Sequence, residues 1–116
     1  MIVLDEHIPP SQRELLRGWM SVRQIGHDVG RKGMQDDEII PFLRRLRHPT
    51  FVTLDAGFYK RNLCDERYCI AYMSVKQIEV AVFARRLIRH PVFNTQAKRL
   101  GAVIRASHAS LSVWRP

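Results

Sequence analysis

Two short apolar runs, each closed by an aspartate, constrain the fold of this chain more than any other feature. Ile2-Val3-Leu4 runs into Asp5-Glu6, and Phe51-Val52-Thr53-Leu54 runs into Asp55. Apolar residues without polar alternation read as strands buried on both faces, the kind found at the centre of a parallel sheet. The C-terminal ends of such strands open on the sheet's carboxyl edge, where α/β folds keep their ligand sites. If the two strands are parallel neighbours, Asp5 and Asp55 converge on one mouth.

The segments around these runs fit the same plan. After His7-Ile8-Pro9-Pro10, Ser11-Gln12-Arg13-Glu14 has the Ser-x-x-Glu form of a capping box and predicts a helix over 11–20, with Leu15, Leu16, Trp19 and Met20 on one face. Ser21 to Gly26 predicts a weak second strand, and 27–35 a loop with two glycines and the cations Arg31 and Lys32. Ile39, Leu43 and Leu46 mark a helix over 36–47, capped by Asp36 or Asp37, with Pro41 an irregularity near its start. A long charged and aromatic connection, 56–68, leads to a strand over 69–73. Val80, Phe83, Ala84, Leu87 and Ile88 then give helical spacing to a segment that starts at Ser74 and ends at His90-Pro91. Residues 94–100 suit a short helical turn, and 102–105 and 111–114 two last strands in a hairpin. The order β-α-β-α-β-β-α-β-β predicts an α/β fold with a largely parallel sheet.

A chain of 116 residues, 46% hydrophobic and 26% charged, is expected to form one globular domain, 1–116. No run approaches the ~18 apolar residues of a membrane span, and the N-terminus lacks a basic-then-apolar leader, so the expectation is a cytoplasmic protein with no membrane partner. Cys64 and Cys69, a single pair with no nearby histidine, are expected to be reduced thiols. The net charge of +8 is uneven: all 11 acids lie in residues 1–79 beside 12 Lys and Arg, whereas residues 80–116 carry 7 basic residues and no acid. Such asymmetry fits a nucleic-acid partner, although a basic surface that serves solubility accounts for the same charge.

The acids suggest the chemistry. Asp36-Asp37-Glu38 exceeds what a helix start needs from capping and dipole. Carboxylates about 4 Å apart repel by about 4 kcal/mol at an effective dielectric of 20. A cluster joining Asp36 to Asp5 and Asp55 therefore requires a cation or raised pKa values. Oxygen-only ligands favour Mg²⁺ or Mn²⁺, and a hard cation beside basic residues suits phosphodiester cleavage by a metal-activated water. Lys60 and Arg61, interleaved with Phe58 and Tyr59, are candidates to hold RNA, as are Arg31 and Lys32.

Leu4-Asp5-Glu6-His7-Ile8-Pro9-Pro10, Asp36-Asp37-Glu38-Ile39-Ile40 and Val52-Thr53-Leu54-Asp55-Ala56-Gly57-Phe58 resemble, in that order and at similar spacing, the small PIN-like proteins that bacteria often encode beside an antitoxin. The resemblance covers roughly the first 75 residues. It implies a PIN-like α/β/α sandwich and a divalent-metal-dependent endoribonuclease, the toxin component of a toxin-antitoxin pair, with RNA and a cognate antitoxin as partners. By position, Asp5, Asp36 and Asp55 match the family's metal-binding acids, and Glu6 follows the first as in the family pattern. Glu38 joins them as a further candidate ligand. Gly57 stands where relatives commonly carry a second aspartate, and Glu38, Asp37 or Asp65 is a candidate to replace it.

Two other readings stay open. One is a non-catalytic RNA-binding or antitoxin-binding module that kept the fold and lost a ligand at Gly57. The other is a receiver-like phospho-acceptor domain, which also has an acid pair after strand one and an aspartate after strand three; against it, Arg105 stands near where such domains place a lysine. Apolar helix surface left over in so small a domain suggests a homodimer.

Overall fold

Every segment expected to be a strand is one in the computed structural model, which describes residues 1–116. The strands are β1 (Ile2–Leu4), β2 (Val22–Gln24), β3 (Thr50–Thr53), β4 (Cys69–Met73), β5 (Val103–Ala106) and β6 (Leu111–Trp114). They form one sheet in the spatial order β2-β1-β3-β4-β5-β6. The first five are mutually parallel, and β6 returns antiparallel to β5 as the expected hairpin. The apolar character of β1, β3 and β4 follows from their central positions, where both faces are covered.

One face of the sheet is covered by helices α1 (Pro10–Arg17) and α3 (Val80–Arg89), whose Leu16, Phe83, Ala84 and Leu87 pack on Leu4, Val52 and Ala71. The other is covered by α2 (Asp36–Arg45) and by residues 56–68, which bring Ile39, Leu43, Phe58 and Tyr68 onto Val3, Phe51 and Ile70. The short α4 (Gln96–Arg99) precedes β5. The steps from β1 to β2 and from β4 to β5 run in opposite directions across the sheet, yet α1 and α3 lie on the same face. The two crossovers therefore have opposite hands, although such connections are right-handed in about 98% of cases. As a consequence no α-helix lies over the β4–β6 part of the face that carries α2, and only residues 56–68 cover some of it.

Helix boundaries differ from expectation for local reasons. Helix α1 begins at Pro10, with Pro9 before it, and Ser11 makes no cap. Proline has its φ preset and no N–H to satisfy, so it takes the first helical position and draws Ser11 into the first turn. The helix ends at Arg17, with Gly18 following. Neither Asp36 nor Asp37 caps α2: the cap is Gln35, whose N–H donates to the Glu38 carboxylate at 3.2 Å. Helix α2 runs through Pro41; it forgoes the bond to the Asp37 carbonyl but is held by the burial of Ile39 and Leu43. Residues 74–76 are not helical, and a 3-10 turn at Gln77–Glu79 leads into α3.

Candidate active-site cleft

Because Leu4 pairs with Val52 and the Asp5 N–H donates to the Val52 carbonyl at 2.9 Å, the ends of β1 and β3 stay side by side and deliver Asp5 and Asp55 to one place. This is where the strand order changes direction, the crevice in which open α/β sheets bind ligands. The cleft encloses about 350 Å³. Asp5, Glu6, His7, Asp36 and Asp55 supply its polar lining, and Ile25, Ile39 and Leu54 are among its apolar residues.

Asp5 is the most fixed of the acids. It is only 8% exposed, and its two oxygens accept from the Glu6 N–H at 2.8 Å and the Thr53 hydroxyl at 2.7 Å. Burial nevertheless raises its pKa, and the Asp55 charge pushes the same way, against the hydrogen bonds from Thr53 and Glu6 and the influence of His7. The Thr53 oxygen also accepts from the Asp55 N–H at 3.0 Å, so one buried hydroxyl ties both strand ends.

Asp36 arrives from another direction, as the first residue of α2. Its pKa is raised, first by partial burial, then by the Asp55 charge and a hydrogen bond between the two carboxyls, with smaller effects from Asp5 and Asp37. The size of the Asp55 influence reflects how close the Asp36 and Asp55 carboxyls stand. Asp55 also accepts from the Gly57 N–H at 2.8 Å. A Cβ at position 57 would lie 3.0 Å from that oxygen, so a side chain there would crowd Asp55 in its present rotamer.

The remaining candidates are placed differently. Glu6 lines the cleft, but its carboxylate accepts from the Gly33 N–H at 2.9 Å and so holds the 27–35 loop. Glu38 lies outside, paired with Arg31 and with the Gln35 N–H. Asp37 shares that outer groove with Glu38. Asp65 is not part of the cleft lining either: it accepts from Arg44 and Arg67, which hold its carboxyl well below the usual carboxylate range. None of these three lines the cleft. Arg31, Lys32, Lys60 and Arg61 are all exposed and outside the lining, and Arg61 stands 5.9 Å from the Trp114 ring centre.

The donor set of Asp5, Asp36 and Asp55 is made of carboxylate oxygens and suits Mg²⁺ or Mn²⁺. In the present arrangement no three acid, histidine or cysteine side chains are drawn tightly enough together to enclose an ion. The Asp55 and Asp5 charges push the Asp36 pKa up, and a divalent cation bound among these carboxyls would offset that repulsion.

Two residues that sequence reasoning passed over build the cleft. Gln24, 1% exposed, donates to the carbonyls of Asp5, Glu6 and Ile8 at 3.0, 3.2 and 3.0 Å and accepts from Arg13 at 3.0 Å, so it shapes the turn behind the acids. Thr53 joins Asp5 to Asp55. The usable signal was polarity at inward positions: Gln24 shares the inward face of β2 with Val22, and Thr53 interrupts an apolar run. No protein-family model matches the chain, and no curated protein and no solved structure is significantly similar to it.

Proposed function

We propose that the chain is a divalent-metal-dependent endoribonuclease and, as its resemblance to PIN-like proteins implies, the toxin component of a toxin-antitoxin pair. The observation that carries this reading is the meeting of three carboxyls from three elements in one cleft, two of them with raised pKa values from burial and mutual repulsion. Perturbed acids in a cleft at a sheet's switch point are what a cation site needs before the cation arrives. When bound, Mg²⁺ or Mn²⁺ would lower the pKa of a water and offset charge on the scissile phosphate. Asp36 and Asp55 would hold the cation together with Asp5, whose carboxylate is locked in position by Thr53. His7, at the same mouth, is placed to contact phosphate. The net charge of +8 supports an RNA substrate.

Calorimetric titration with Mn²⁺ at neutral pH is expected to show binding by the wild type that Asp55→Asn abolishes, with Asp5→Asn and Asp55→Asn both losing metal-dependent RNA cleavage. Absence of Mn²⁺ binding by the wild type would sink the nuclease reading. Gly57 favours a second reading, a non-catalytic RNA-binding or antitoxin-binding module; it expects salt-sensitive RNA binding with no turnover. A phospho-acceptor role would instead leave acyl-phosphate at Asp55 after incubation with a small phosphodonor.

A further inference from the structure

The face that α2 leaves uncovered carries a row of side chains that begins at the acid cleft. Continuing the registers of β1, β3, β4, β5 and β6 places Asp5, Thr53, Tyr72, Arg105 and Ser112 in one line across the sheet. Strands are ~4.8 Å apart, so Tyr72, two strands from Asp5, lies about 10 Å away from it along the row. Tyr59 sits over this region, its ring centre 6.2 Å from Tyr72 and 6.1 Å from Trp114, with the planes tilted by 34° and 32°. Trp114 pairs with Val103, whose side chain belongs to the core on this face, and the indole is 38% exposed. Arg61 stands over the indole at 5.9 Å. Lys60, Arg61 and Arg105 make no salt bridge, whereas Arg31, Arg44 and Arg67 each do.

We propose that Tyr59, Tyr72 and Trp114, with Lys60, Arg61 and Arg105, form a stacking platform for the bases of single-stranded RNA leading to the acid cleft. The choice of RNA rests on the proposed function; the platform's chemistry is argued independently. A hydrophobic plug for the β5–β6 hairpin would be rimmed by apolar side chains. This cluster is rimmed by cations that make no salt bridge and leaves its largest ring partly exposed, as a site for bases on a phosphate backbone does. A base in a duplex has no free face, so the platform selects unpaired strands.

The test uses the two tryptophans. In Trp19→Phe only Trp114 emits, and oligouridylate added in EDTA is expected to quench it. Trp114→Ala and Tyr59→Ala are each expected to weaken oligouridylate binding about tenfold, within the range for loss of one base–aromatic stack. Trp114→Phe, which keeps an aromatic ring, is expected to retain most of the affinity, and melting curves check that each variant is folded. Equal affinity for a duplex or for inorganic polyphosphate would overturn the platform, as would binding unaffected by the alanine variants or no binding at all. Platform-dependent binding without Mn²⁺-dependent cleavage would overturn the nuclease reading and leave the platform. Cleavage indifferent to Trp114→Ala and Tyr59→Ala would do the reverse.

Discussion

Thr53 shows how much one hydroxyl can organise. It donates to Asp5 inside the protein and accepts from the Asp55 N–H at the edge of the cleft. Thr53→Val keeps the shape and removes both bonds, so it is expected to cost about 1–3 kcal/mol in urea unfolding. It should also raise the Asp5 pKa further, visible as a shifted carboxyl titration by NMR, because the Thr53 bond favours the charged form. The raised acids set a pH dependence. Asp5 and Asp36 bind protons more tightly folded than unfolded, so their contribution is full below the ordinary value of 3.8 and is lost as pH rises through their raised folded values. Asp65, whose pKa is depressed, contributes the other way, losing its stabilisation only as pH falls below the same ordinary value. In EDTA the stability that Asp5 and Asp36 contribute is therefore expected to decline as pH rises above 3.8, so the fall of the melting temperature over that range is less steep in Asp5→Asn than in the wild type. Mn²⁺ is expected to offset the fall, since it binds the ionised carboxyls.

At the scale of elements, the cleft depends on polar side chains that join helices and strands. Gln12 of α1 is 4% exposed, and its side-chain oxygen accepts from the Ala81 N–H at 3.0 Å. That N–H lies in the first turn of α3, where no intrahelical acceptor is available. Gln12→Leu would leave it buried and unpaired, at an expected cost of about 1–3 kcal/mol in urea unfolding, with Mn²⁺ binding unchanged because the acids are untouched. Gln24 does the corresponding work for the turn after β1. Helix α2 combines two tasks: Ile39 and Leu43 anchor it, and its first residue, Asp36, reaches the cleft.

Across the whole molecule, the positive charge has few carboxylates to meet. Of the seven basic residues in 80–116, none joins a salt bridge to an Asp or Glu. Arg99 is buried and bonded to the Thr50 hydroxyl and the Phe93 carbonyl, and burial lowers its pKa. Self-repulsion of a +8 chain is expected to make the melting temperature rise between 20 and 200 mM NaCl, as salt shortens the reach of like charges. The two cysteines are free, and burial pushes the Cys69 thiol up to about 12. No helix is long and apolar enough to cross a membrane.

The α/β class, the six strands and the meeting of Asp5 with Asp55 were legible in the sequence, because apolar runs of strand length have few alternatives and parallel neighbours must end on the same edge. Helix starts were less legible: Pro10 took the place that Ser11 suggested, a choice between two local signals that the first turn decides. Only the tertiary structure could turn Glu38 towards Arg31, Glu6 towards Gly33 and Asp65 towards Arg44 and Arg67. Carboxylates look alike in a sequence, and their partners come from loops whose approach no local propensity sets. The same holds for Tyr59, Tyr72 and Trp114, which share a surface because β4–α3–β5 crosses on the face opposite α2. The hand of that crossover is decided by how whole layers pack, after every element has already formed.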